Sequence, residues 1–76
     1  MPRYRDTDND SGVVGYEYGD DWIEVEFRRG RERFYLYEAS RVGNSHIQEM
    51  KRLADAGDGL NSYITKNVRD GYSSKR

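Results

Sequence analysis

The sequence predicts an α+β fold: a three-stranded antiparallel β-meander followed by two short helices packed on one face of the sheet. Three observations predict it. Aromatic and β-branched residues alternate with polar ones from Val13 to Tyr37. Two glycine-containing breaks, Gly19-Asp20 and Arg29-Gly30, cut that stretch into three. Beyond Tyr37 the apolar spacing lengthens from two residues to that of a helix.

The first strand carries Val14, Tyr16 and Tyr18, the second runs Trp22-Ile23-Glu24-Val25-Glu26-Phe27, and the third ends Phe34-Tyr35-Leu36-Tyr37. If each break is a two-residue hairpin loop, Tyr16 faces Ile23 and Val14 faces Val25. The second loop then sets Val25 against Phe34 and Ile23 against Leu36. Both turns agree on one apolar face of Val14, Tyr16, Ile23, Val25, Phe34 and Leu36, as directly opposed residues must share a face. The other face would set Trp22 across from Tyr37, Glu24 from Tyr35, Glu26 from Arg33 and Arg28 from Arg31.

Ile47, Met50, Leu53 and Ala54 recur at helical spacing and predict a helix near residues 45–56, with Ser45 and Gln48 as a capping box and Gly57 as its stop. Leu60, Tyr63, Ile64 and Val68 form the stripe of a second helix near 60–69, with Asn61 and Ser62 expected to cap its start. A helix so short must dock on the core to persist. With Phe27, the residues Ile47, Met50, Leu53, Leu60, Tyr63, Ile64 and Val68 complete the expected core.

A chain of 76 residues has room for one domain, burying only roughly 60% of its unfolded surface. Residues 13–72 are read as that domain, 1–12 as a disordered acidic lead and 73–76 as a flexible basic tail. The chain has no cysteine, which removes disulfides and thiolate chemistry and fits a reducing compartment. No signal peptide or membrane-length apolar run is seen, and a cytoplasmic location is expected. Charge is unevenly spread. Residues 1–27 set two cations against eight acids, a net of −6, whereas residues 28–76 set eleven against six, a net of +5. That asymmetry points to a basic region suited to an anionic partner.

Catalytic constellations are not found. His46 is the only histidine and cannot by itself build a triad or a paired-histidine metal site. Asp20-Asp21 lies in a predicted turn, where aspartate serves turn geometry and not acid–base work. Residues 6–17 place acids at several positions of a calcium loop, but Ser11 stands where its sharp turn needs glycine. The expectation is no enzyme, no metal and no cofactor.

Three segments together resemble a known family. These are Tyr35-Leu36-Tyr37, Met50-Lys51-Arg52-Leu53-Ala54, and the run from Gly59-Leu60-Asn61-Ser62-Tyr63-Ile64 to Asn67-Val68 with a closing Tyr72. In order and spacing the set is similar to the KTSC domain, a small module found at the C-terminus of some lysyl-tRNA synthetases. The resemblance spans Val13 to Tyr72 and implies a sheet-plus-helices fold with an RNA- or nucleic-acid-binding role. It implies no catalytic residues. Asp70-Gly71 departs from the more basic C-terminal end that several members of the family show.

The expected function is therefore a small non-catalytic binding module with weak affinity for RNA or single-stranded nucleic acid. Trp22, Tyr35 and Tyr37 would form a stacking platform on the sheet. Arg28, Arg31 and Arg33, with Lys66 and Arg69 on the second helix, would hold phosphates. The alternative is a protein–protein interaction module using the same aromatic sheet face as an anchor. Glu24 and Glu26, on that face, oppose a phosphate backbone.

Overall fold

A computed structural model describes residues 12–76. Residues 1–11 of the acidic lead, and with them the first half of the calcium-like loop, lie outside the described residues. Strands β1 (Val13–Tyr18), β2 (Trp22–Phe27) and β3 (Phe34–Glu38) form the expected antiparallel meander, joined by a two-residue β4 (Ser74–Lys75) in the order β1-β2-β3-β4. Helix α1 (Ala39–Val42) leads into α2 (Asn44–Ala56); α3 (Leu60–Tyr63) continues into a π-helical segment, Ile64–Val68. The fold class is α+β, as the sequence predicts.

Ile23, Val25, Ile47, Met50, Leu60, Ile64 and Val68 are buried, as expected. The helical stripe Leu60, Ile64, Val68 docks because each fourth residue keeps one face toward the sheet. Gly57 closes α2 in the left-handed region (φ 73°), its N–H donating to the carbonyls of Leu53 (2.9 Å) and Ala54 (3.1 Å). Few residues other than glycine reach that conformation without strain. The start of α2 differs from expectation. Gly43 takes the capping position and no side chain caps it. Gln48 instead donates to the side chain of Asn44 and the carbonyl of Asp20.

Register is where the structure departs most from the sequence reading. In the first hairpin Tyr18 pairs with Ile23 and Tyr16 with Val25. That is two residues from the expected alignment, so both tyrosines keep their predicted face. A bulge between Val13 and Gly15 then turns Val13 inward (1% exposed) in place of Val14. In the second hairpin Trp22 pairs with Glu38, Ile23 with Tyr37, Glu24 with Leu36, Val25 with Tyr35 and Glu26 with Phe34. The connection is not a two-residue loop at Arg29-Gly30. It runs from Arg28 to Arg33, where the Phe27 N–H donates to the Arg33 carbonyl (2.7 Å). The shift is odd, so every side chain of β3 changes face. Tyr35 and Tyr37 lie inward with Ile23 and Val25; Phe34 and Leu36 lie outward with Trp22, Glu24 and Glu26.

The inward face is closed by aromatic packing. Tyr35 meets Phe27 and Tyr72 edge-on, with ring centroids 5.3 and 5.2 Å away. Tyr37, 1% exposed, is the largest side chain fully enclosed. At the β1 edge the stacked Tyr16 and Tyr18 rings donate their hydroxyls to the two oxygens of Asp55 (2.9 and 2.8 Å), tying α2 to the sheet. The C-terminal residues, expected to fray, are paired. Ser73 N–H donates to Leu36 O (2.6 Å), and Arg76 exchanges backbone hydrogen bonds with Phe34 (2.9 Å each).

Core replacements test the register directly. Ile23→Ala should cost about 2–5 kcal/mol, a large part of the stability of a domain this size. Phe34→Ala, on the outer face, should cost markedly less. Equal losses in thermal melts of the two variants would contradict the register. The tyrosines give a pH signature. Burial, with smaller contributions from the nearby Tyr35 and Tyr72 phenols, pushes the Tyr37 pKa far above its ordinary value of 10.0. A raised folded-state pKa leaves stability intact below the unfolded value and removes it above. Unfolding should therefore set in as pH rises beyond about 10, and Tyr37→Phe should shift that alkaline transition upward. An unchanged transition, followed by phenolate absorbance, would refute the assignment.

Candidate functional site

Between the β2–β3 turn and the α3–π helix lies an open cleft of about 550 Å³. Its floor is Phe27, Tyr35, Tyr37 and Ile64; its rim is Arg28, Arg29 and Arg69, with Asn61 and Thr65 between. No aspartate or glutamate lines it. Three guanidiniums over an aromatic floor, without a competing carboxylate, have the chemistry that suits an anion with a flat apolar part.

Each wall follows from a local structural cause. Arg28 and Arg29 leave the end of β2, and the Arg28 N–H donates to Gly12 O (2.6 Å), which holds this turn against the start of β1. Asn61, Thr65 and Arg69 each follow a buried residue of the Leu60, Ile64, Val68 stripe and repeat at the same interval of four. In a continuous α-helix every fourth residue drifts by about 40° around the axis. The wider π turn at Ile64–Val68 opposes that drift and keeps the three polar residues in one row. Asn61 is thus part of the cleft and not a cap; α3 starts after Gly59 without a side-chain cap.

Tyr37 carries a further polar feature. Its side chain is buried and its ring borders the cleft. Its hydroxyl is a neutral O–H donor at ordinary pH, as any tyrosine's is, and burial moves its pKa further above the ordinary value of 10.0. Behind Thr65 and Arg69 a second depression of about 410 Å³ includes Arg41, Lys66, His46 and Asp70. His46 is held there by a 2.6 Å hydrogen bond between Nδ1 and the Tyr63 hydroxyl.

Comparison with protein-family models, curated proteins and solved structures gives no match.

Of the eight residues the sequence singled out, Arg28, Tyr35, Tyr37 and Arg69 meet in the first cleft, and Lys66 lies in the second. They meet for a different reason from the one expected. Tyr35 and Tyr37 belong to the helix-covered face, and Tyr37 is too deeply buried to stack on a base. Trp22 is on the opposite face, so the predicted three-ring platform does not exist. Arg31 and Arg33 are exposed in the β2–β3 turn but do not line the cleft. The same inversion removes Glu24 and Glu26 from the vicinity of Tyr35. Arg29, Asn61 and Thr65 were missed; for Asn61 and Thr65 the interval of four leading to Arg69 was the available signal, and for Arg29 there was none.

Proposed function

We propose that the protein is a non-catalytic module that binds single-stranded RNA or DNA through the cleft between the β2–β3 turn and the π-helical segment. The observation that carries this reading is the convergence of Arg28, Arg29 and Arg69 around Tyr35 with no carboxylate among the lining residues. The guanidiniums supply phosphate contacts, Asn61 and Thr65 supply groups for base edges or sugars, and the half-buried Tyr35 offers a surface against which a base can pack. The resemblance to the KTSC domain favours the same reading. Lys66 and Arg41, in the adjoining depression, extend the basic surface along the strand's path.

The test is a titration of isotope-labelled protein with a short single-stranded RNA at low salt, followed by NMR. Amide shifts should centre on Arg28, Arg29, Asn61, Thr65 and Arg69, and weaken as ionic strength rises. Arg28→Ala and Arg69→Ala should each lower affinity about uniformly across sequences and reduce the salt slope by about one. Tyr37→Phe should weaken binding while preserving the fold, whereas Tyr37→Ala should unfold it. Saturating RNA that moves no resonance at the cleft would refute the proposal.

A further inference from the structure

The face of the sheet away from the helices has a different character. Opposed pairs place Glu17 beside Glu24, Glu26 beside Phe34, Glu24 beside Leu36 and Trp22 beside Glu38. Four glutamates therefore share one surface with Trp22, Phe34 and Leu36. None of these three apolar residues packs against the buried core cluster. Glu17 and Glu24 oppose each other directly across an antiparallel pair, an arrangement that costs stability when both are ionised. Among the described residues Glu24 has one cationic partner, Arg76, and no ion pair is found for Glu17, Glu26 or Glu38.

Arg76 shows what this surface accepts. Its guanidinium carbon lies 4.5 Å from the centroid of Phe34, and Nη2 lies 3.4 Å from Glu24 Oε1. The Arg76 side chain is 70% exposed while that of Glu24 is 18% exposed. An ion pair whose cation is so exposed contributes little and yields easily to a competitor. The site beneath it, a half-buried carboxylate beside an aromatic face, is matched to arginine's combined charge and planar stacking.

We infer that this outer sheet face docks an arginine-rich, extended peptide segment of a protein partner, with Glu24 and Phe34 receiving one guanidinium in the place Arg76 now holds. In an extended peptide alternate residues share a side, so arginines at every second position would all face the sheet. Glu17, Glu26 and Glu38 then receive the counter-charges they lack. The partner's charge is opposite to that of the cleft's ligand, so the two surfaces cannot exchange ligands.

Trp22, the chain's only tryptophan, lies on this face and reports on it directly. The probe is a capped peptide of alternating arginine and serine, titrated at low salt and followed by Trp22 emission. A saturable change is expected, absent with the matching glutamate–serine peptide. Glu24→Gln combined with Glu26→Gln should weaken binding about tenfold or more, with a melting temperature no lower than the parent's. Arg76→Ala should tighten it, because β4 is held by backbone groups and only the competing side chain is lost. Arg28→Ala, which acts at the cleft, should leave the affinity for this peptide unchanged. No saturable change, or equal affinity for the double glutamine variant, would overturn the inference. So would a Trp22 response to single-stranded RNA, which would place nucleic acid on this face.

Discussion

The pairing of β2 with β3 is the constraint on which the rest of the molecule depends. Val25 opposite Tyr35 and Ile23 opposite Tyr37 put both tyrosines beneath the helices. Tyr35 can then meet Phe27 and Tyr72 edge-on, and Tyr37 can fill the centre of the core. The same register sends Phe34 and Leu36 outward, where they join Trp22 and the glutamates. It also requires the six residues from Arg28 to Arg33 to form the connection, which places Arg28 and Arg29 opposite Arg69. One pairing thus determines the core, the basic cleft and the acidic outer face.

That pairing was the part of the fold hardest to read. The α+β class, the three strands, both helical stripes and the Gly57 stop are legible because period and punctuation carry them. Phe34-Tyr35-Leu36-Tyr37 carries no such contrast, since both of its faces are apolar or aromatic. With no polar side to exclude, its orientation rests wholly on turn length. Gly30 occurs in a hairpin break of either length, and its positive φ of 112° suits both. The first hairpin illustrates the contrast. Its turn is also longer than expected, but by an even shift, and the predicted faces survive.

The candidate site was legible in its chemistry and not in its location. Arginine at 28 and 69 and tyrosine at 35 and 37 do come together, on the opposite surface from the one expected. The error had a visible symptom: it placed Glu24 and Glu26 in the middle of a proposed phosphate-binding platform. A charge conflict of that kind is evidence against a register, because folded sequences tend toward agreement between local chemistry and global arrangement. Inverting β3 removes the conflict without moving any strand.

Separation of charge by the sheet explains how a chain with a net charge of only −1 can offer two distinct surfaces. The cleft collects cations from the β2–β3 turn and the π-helical segment; the outer face collects acids from all three long strands. Successive side chains of a β-strand point to opposite faces of the sheet, and exposed charges screen one another beyond about 8 Å at physiological ionic strength. The field of each surface is therefore little cancelled by the other. The like-charge pairing of Glu17 and Glu24 opposes folding, yet it lies where it costs least, on a face that contributes nothing to the main core. A sheet whose buried core lies on one side, with Ile23, Val25, Tyr37 and the helices above them, leaves its other side free to carry charge that the core could not accept.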